Sequence, residues 1–214
     1  MTEPAFLDDA RTFYNAIATD YAEMFKTVLD DQPLDRAMLD AFAGRVCEDG
    51  GGPVLDVGSG PGRVSAYLHA RGVEVSGIDL SVSMVELARS TFPALRFDEA
   101  SMTALPHADG SLAGLLSWYT LIHVPPSAHP GVLAEFHRVL RPGGQLLLGF
   151  QIGSEPSRVT DPWGYDVSLD FHRLSPDGMT DLLRRSGFTV DARMVREPAG
   201  QEKTRQAQLL ARKG

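Results

Sequence analysis

The sequence has 214 residues, of which 43% are hydrophobic and 22% are charged, and its formal net charge is −8. This length and composition predict a globular protein with a substantial core. The negative charge disfavours nucleic acid as a partner, because it repels phosphate backbones. No apolar run approaches the roughly 18 residues that span a bilayer, and the acidic, aromatic N-terminal stretch is unlike a secretory signal. Cys47 is the single cysteine, which excludes an intrachain disulfide and a thiolate metal cluster, and we expect a cytoplasmic protein.

Helix and strand patterns alternate along most of the chain. Some segments have apolar residues at helical spacing, and others are short β-branched runs. In the first 151 residues these patterns predict helices over 8–28, 34–47, 63–70, 81–91 and 127–140, and strands over 53–57, 73–78, 95–97, 112–117 and 145–151. Strands that alternate with helices form parallel βαβ units, so we expect an α/β fold with helices on both faces of a mostly parallel sheet.

The C-terminal part departs from this alternation. A helix begins at 175–177, where Pro176 suits the first turn, and two strands follow over 188–196 and 205–211. The connection between these strands is too short for a crossover, so they must pair antiparallel. Residues 153–174, in contrast, are predicted to form a long loop. The sequence therefore predicts a parallel sheet that ends in an antiparallel C-terminal hairpin.

A glycine-rich turn joins the first predicted strand to the next helix, in the sequence VLDVGSGPGR of residues 54–63. Glycines there allow a ligand to approach the backbone closely, and free amides at a helix N-terminus favour negative charge. The dinucleotide fingerprint GxGxxG would need glycine where Arg63 stands, which weakens the interpretation as an NAD site. A tight turn without any ligand is the alternative.

An acidic residue, Asp79, ends the second predicted strand. A carboxylate at this position can accept hydrogen bonds from both hydroxyls of a ribose. The alternative is that Asp79 only caps the helix that begins near Ser81. The turn and the carboxylate together indicate a cofactor that contains adenosine.

Several segments resemble class I S-adenosylmethionine-dependent methyltransferases. VLDVGSGPGR is similar to the first motif of that family and VSGIDLS to its second. Later segments of the chain are also similar to the family, namely FDEASMTALPHADGSLAGLLSWYTLIHV, EFHRVLRPGG, QLLLGF and SGFTVDARMVREP. The resemblance covers the chain from about residue 14 to its end. It implies a Rossmann-like, seven-stranded sheet and a division into an N-terminal helical lid, 1–48, and a cofactor-binding domain, 49–214, which form a single unit.

The resemblance also implies S-adenosylmethionine as cofactor and S-adenosylhomocysteine as product. Gly58, Ser59 and Gly60 would lie against the methionine portion, with Asp56 near its ammonium group. Ser117, at the end of the fourth predicted strand, would face the sulfonium side.

The nucleoside would contact a second group of residues. Asp79 would hold the ribose hydroxyls, and Leu80 would pack on the adenine. Ser101 and Met102 occupy the position that meets the adenine edge. Many family members have Asp where this chain has Ser101, which places a side-chain contact to the adenine amino group in doubt, although Met102 can still offer backbone groups.

The N-terminal helix and two histidines supply the remaining candidates. Tyr14 and Tyr21 match the lid helix that often reaches the cofactor carboxylate, or they are ordinary core aromatics. His123, after the fourth strand, is the leading general base, and His172 is the second candidate; a structural role is the alternative for each.

We interpret 153–174 as part of the substrate wall, with a solvent-facing insertion as the alternative. No ligand set suggests a metal.

These observations leave three functions open. The first is methylation of an oxygen, nitrogen or carbon of a small molecule by a monomer or homodimer, with no nucleic-acid or membrane partner. The second is a protein of the same fold that binds the cofactor without methylating, in a binding or cyclisation role. The third is an NAD-dependent oxidoreductase, which the residue at position 63 disfavours.

Overall fold

The computed structural model describes residues 4–214, which fold around a central seven-stranded sheet. The strands, in chain order, are β1 Val54–Val57, β2 Val75–Asp79, β3 Arg96–Glu99, β4 Leu112–Trp118, β5 Leu140–Gln151, β6 Ser157–Thr160, β7 Ser168–Phe171, β8 Phe188–Arg196 and β9 Gln206–Lys213. The spatial order in the large sheet is β3-β2-β1-β4-β5-β9-β8, and β6 and β7 pair separately. Strands β1 to β5 run parallel, as the alternating pattern predicts.

Helices cover both faces of this sheet. They are α1 Ala5–Met24, α2 Pro33–Glu48, α3 Arg63–His69, α4 Val82–Thr91, α5 His129–Val139 and α6 Pro176–Arg185. Leu148 of β5 packs in one hydrophobic cluster with α5 and α6, whereas its neighbour Leu147 packs in another with α2 and α3. Successive side chains of a strand point to opposite faces, so these two leucines mark the two sides of the core.

The C-terminal hairpin is also confirmed. β9 lies between β5 and β8 and pairs antiparallel with both, with Leu209 opposite Leu148. The predicted fold, a Rossmann-like sheet of seven mostly parallel strands with an antiparallel C-terminal hairpin, is the observed one.

The structure corrects the prediction of a long loop over 153–174. This segment holds the β6–β7 hairpin, in which Leu169 joins a hydrophobic cluster with α1 and Phe171 contacts Phe13 edge-on. Trp163 and Tyr165 lie exposed at its tip. Each strand has only four residues, too few for a period-two pattern to stand out from a loop.

The N-terminal region also differs from prediction in detail. Helix α1 ends at Met24 rather than near residue 28, because the chain enters a series of turns before Pro33 begins α2. Residues 1–3 of the predicted lid lie outside the described residues. Within 4–214, no helix is both long and apolar enough to cross a bilayer.

Candidate active site

A cleft with about 690 Å³ of empty space, open solvent included, lies where β1, β2 and β4 end. The strand order reverses between β1 and β4, and ligands of open α/β sheets bind at this kind of switch point. Residues from α1 form part of its wall. The predicted site residues that line the cleft are Tyr14, Tyr21, Gly58, Gly60, Asp79, Leu80, Met102 and His123.

The glycine turn after β1 is hydrogen-bonded to strand β2 and to the segment that follows β4. The amides of Gly58 and Ser59 donate to the carbonyl of Ile78, at 2.8 and 2.9 Å. Gly58 has a φ of +72°, and a Cβ there would lie 2.7 Å from Cβ of Thr120, whose Oγ1 donates to the Gly58 carbonyl at 3.2 Å. Glycine is therefore required at position 58 by both backbone conformation and space.

Asp79 faces the same cleft from the end of β2. Its Oδ2 accepts a hydrogen bond from the Gly60 amide at 2.8 Å, and its Oδ1 accepts from the Ser81 amide at 2.9 Å. Burial raises the pKa of this carboxyl, and the backbone amides oppose the shift. Helix α4 is capped by Ser81, whose Oγ accepts from the Met84 amide at 3.1 Å. Ser81 therefore supplies the side-chain cap of α4, and Asp79 contacts the start of that helix through the Ser81 amide.

Three predicted cofactor residues lie behind the cleft wall instead of on it. Asp56 is buried, and its Oδ2 accepts a hydrogen bond from the Ser65 hydroxyl at 2.7 Å. Burial raises the pKa of Asp56 to about 7, against the opposing effect of that hydrogen bond. Ser59 and Ser117 are also buried, and their hydroxyls, like Oδ1 of Asp56, have no hydrogen-bond partner within residues 4–214.

Tyr14 and His123 form a pair across the cleft. The hydroxyl of Tyr14 lies 2.8 Å from Nε2 of His123, and the two rings meet edge-on. Burial lowers the pKa of His123 to about 3, although the backbone of Asp170 opposes the shift, and burial raises the pKa of Tyr14 well above its ordinary value. Both side chains are therefore neutral near pH 7, and the phenol can donate to the imidazole.

Two predicted residues lie away from the cleft. The hydroxyl of Ser101 pairs with Thr103 at 2.8 Å, so it faces its own turn. His172 donates its backbone amide to the Ile122 carbonyl at 2.7 Å, which places it beside His123 without lining the cleft.

The sequence predicts that the segment from the end of β4 to His123 faces the methyl group, but it indicates only Ser117 and His123 there as site residues. Trp118, Tyr119 and Thr120 all line the cleft. Tyr119 has a φ of +58°, which is rare for an aromatic residue and turns Thr120 onto Gly58. No sequence pattern marks such a backbone conformation at a residue other than glycine.

Asn15 is a further residue that the sequence did not indicate. Its Oδ1 accepts hydrogen bonds from the Ser81 hydroxyl at 2.7 Å and from the Ser83 amide at 3.2 Å. These bonds attach α1 to the start of α4, so Tyr14, one residue earlier, is held over the cleft.

The chain is similar in sequence to known methyltransferases. Residues 54–144 match the family model described as a methyltransferase domain. An uncharacterized methyltransferase of Mycobacterium sp. (strain JLS) is 33% identical over 148 residues, which cover 69% of this chain and 53% of that protein. A malonyl-acyl-carrier-protein O-methyltransferase of Pseudescherichia vulneris is 33% identical over 131 residues, covering 61% and 51%. The chain spans about half the length of these curated relatives.

Solved structures agree at the level of the fold. The DhpI–S-adenosylhomocysteine complex has a TM-score of 0.75 at 20% identity, covering 100% of this chain and 99% of that chain. The cyclase SpnF has a TM-score of 0.67 at 21% identity, covering 85% and 81%. Fold and cleft thus define a Rossmann-like cofactor-binding domain. The family match and the relatives confirm the predicted resemblance to class I S-adenosylmethionine-dependent methyltransferases.

Proposed function

We propose that the chain binds S-adenosylmethionine in this cleft and transfers its methyl group to a small-molecule acceptor. The observation that carries the proposal is the placement of the Asp79 carboxylate and the Gly58–Gly60 turn in the wall of one cleft. A carboxylate suits ribose hydroxyls, and a glycine turn admits a ligand close to the backbone. The methyltransferase names of the curated relatives support the same reading.

The residues around Asp79 fit the nucleoside of this cofactor. Leu80, Met84, Ala100 and Met102 line the cleft beside it and offer an apolar surface to a flat base. Each carboxylate oxygen of Asp79 accepts one backbone amide, so lone pairs remain for hydroxyl donors. Behind the turn, the unpartnered hydroxyls of Ser59 and Ser117 and Oδ1 of Asp56 form a buried polar layer next to the proposed methionine portion.

The opposite end of the cleft is the proposed acceptor side. Phe6, Leu7, Trp118 and Val124 give it apolar and aromatic walls, which suit an acceptor with an apolar body. The bound cofactor supplies a methyl group on a sulfonium, which is already activated for in-line displacement. The work of the protein is to align the acceptor and to exclude water.

His123 remains our proposed proton acceptor, with His172 behind it as the second candidate. Burial keeps the His123 imidazole neutral and able to receive a proton, but a pKa of about 3 makes it a weak base. The pair of Tyr14 and His123 therefore suits an acceptor that is oriented by a hydrogen bond and that needs little help to lose its proton.

We further propose that α1 acts as the lid of this site. Its residues Phe6, Leu7 and Ala10 line the cleft, while α2 packs with β1 and β4 in the core. The division into 1–48 and 49–214 stays part of this proposal, with α1 as the lid and α2 as its connection to the core. The net charge of −8 supports a small-molecule acceptor rather than nucleic acid. We also propose that the protein acts in the cytoplasm as a monomer or homodimer.

Two measurements test this function. Isothermal titration calorimetry is expected to show binding of S-adenosylhomocysteine and none of NAD; the reverse result would overturn the proposal. Incubation with S-adenosylmethionine labelled in its methyl group and a metabolite pool is then expected to label a product. Cofactor binding without any labelled product would favour a non-methylating role, the alternative that the likeness to the cyclase SpnF supports.

A further inference from the structure

Arg63 carries a charge that no group in the described chain neutralises directly. It is the first residue of α3 and follows the glycine turn without a break. Its guanidinium lies over the ring of Phe25, 5.5 Å from the centroid, in a cation–π contact. Its Nε is buried without a hydrogen bond, and within residues 4–214 the side chain forms no ion pair. A half-buried guanidinium whose Nε makes no hydrogen bond to the protein is available to bind an anionic group.

The position of Arg63 relates it to the cleft. Phe25 packs against Tyr21 with the rings tilted by 41° and their centroids 4.5 Å apart, and Tyr21 meets Tyr14 edge-on at 5.6 Å. Tyr14 and Tyr21 both line the cleft. The positive charge of Arg63 also acts on the pKa values of Tyr14 and Asp56, lowering each. The guanidinium thus lies beside the methionine end of the proposed cofactor site.

The charges of the cleft explain why such a cation is needed. The residues that line it within 4–214 include one carboxylate, Asp79, and neither lysine nor arginine. S-Adenosylmethionine carries a carboxylate at its aminocarboxylate end, and moving this group out of water into a partly dry cleft is unfavourable without a positive or hydrogen-bonding partner there. A guanidinium is the side chain best suited to bind a carboxylate, because its fork matches the two oxygens.

We propose that Arg63 binds the carboxylate of the aminocarboxylate end of S-adenosylmethionine, with Tyr21 and Phe25 holding its side chain toward that end of the site. This inference rests on the proposed function. It gives a role to the residue that replaces the third glycine of the dinucleotide fingerprint. It also connects the end of α1 to the site, since Phe25, which follows that helix, packs against the guanidinium.

Two ligands isolate this interaction. S-Adenosylhomocysteine has the aminocarboxylate, whereas 5′-methylthioadenosine has the same nucleoside and sulfur without it. Calorimetry is expected to show that Arg63→Met weakens S-adenosylhomocysteine binding at least tenfold and changes 5′-methylthioadenosine binding less than twofold. Arg63→Lys keeps the charge but loses the fork, so it is expected to fall between the wild type and Arg63→Met.

Control variants separate this role from a general loss of the site. Arg71→Met removes a guanidinium that is paired with Asp40 outside the cleft, and both ligands are expected to bind it as they bind the wild type. Asp79→Asn is expected to weaken both ligands. Thermal unfolding of each variant checks that it is folded.

Equal weakening of the two ligands in Arg63→Met, or none, would overturn the inference and leave the proposed function standing. Failure of the wild type to bind either ligand would overturn both.

Discussion

The backbone amide of Gly60 donates a hydrogen bond to Oδ2 of Asp79 over 2.8 Å. This bond joins the turn after β1 to the end of β2, so the two features that indicate an adenosine site are one connected structure. It also orients the carboxylate, because the Ser81 amide holds the other oxygen. Loss of the side chain at position 79 would therefore affect both the ligand and the turn.

Asp79→Ala is expected to weaken the binding of S-adenosylhomocysteine by about 1.5–3 kcal/mol, the usual range for hydrogen bonds to a charged group. Calorimetry measures the change. Asp98→Ala serves as the control, because Asp98 lies on the adjacent strand β3 and pairs with Arg96 outside the cleft. An unchanged affinity in Asp79→Ala would remove Asp79 from the cofactor site.

Gly58→Ala is expected to destabilise the fold and to abolish cofactor binding. The added Cβ would collide with Thr120, and alanine is also strained at a φ of +72°. Gly60→Ala is the matched control, since its φ is +53° but no atom lies within 4 Å of the added Cβ. We expect chemical unfolding to show a loss of about 1–3 kcal/mol more for Gly58→Ala, the scale of overpacking. Equal losses would show that backbone strain alone sets the requirement for glycine.

Tyr14→Phe is expected to reduce turnover and lower the free energy of unfolding by about 1–3 kcal/mol, because it leaves Nε2 of His123 buried without its partner. Tyr165→Phe is the control, as its hydroxyl binds Asp20 at an exposed position. Activity assays and urea titrations of both variants test this. A Tyr14→Phe variant that matches the wild type in both would mean that the pair has no energetic role.

The same histidine gives a pH prediction. Burial holds its pKa in the folded state at about 3, below its ordinary value, so the unfolded chain binds the extra proton between that pH and about 6.5. The stability contributed by neutral His123 is therefore lost as pH falls through this window. We expect His123→Asn to have a shallower decline in unfolding free energy below pH 6.5, measured by urea titration; an unchanged slope would contradict the burial argument.

Asp56 changes the free energy of unfolding with pH in the opposite direction. Its folded-state pKa of about 7 lies above the ordinary value, so the folded chain holds a proton that the unfolded chain releases. Stability therefore falls as pH rises from about 4 to about 7, by about 1.4 kcal/mol for each unit of raised pKa. Asp56→Asn can keep the bond from Ser65 and is expected to flatten this fall. A fall of the same size in Asp56→Asn and the wild type, measured by urea titration across this pH range, would contradict the assignment to Asp56.

A buried ion pair whose residues do not line the cleft is expected to matter for stability. Arg196 donates to both oxygens of Asp35, at 2.6 and 3.1 Å, and Gln208 links Asp35 to the hydroxyl of Tyr119. Arg196→Met leaves Asp35 buried and without its cation, which should lower the free energy of unfolding by about 3–5 kcal/mol. Arg193→Met, on the same strand but in an exposed pair, should change it by less than about 1 kcal/mol. Similar losses of unfolding free energy in the two variants, measured by urea titration, would show that burial does not increase the contribution of the Arg196–Asp35 pair.

The sequence predicted the sheet, its C-terminal hairpin and the cofactor turn because these depend on local signals. A β-branched run, a glycine turn at a strand end and a short connection each determine structure within a few residues. The small β6–β7 hairpin escaped prediction because four-residue strands carry too little periodicity.

The sequence by itself determined that Gly58, Gly60 and Asp79 would meet at one edge of a parallel sheet, since parallel strands bring their carboxyl ends together. Only the tertiary structure decided which side chains face the cleft. Tyr14 and His123 are 109 residues apart, and Thr120 and Gly58 are 62 apart. Such contacts depend on how α1 crosses the sheet and on the unusual backbone at Tyr119, neither of which leaves a periodic signal. Burial of Asp56, Ser59 and Ser117 behind the wall follows from the same packing.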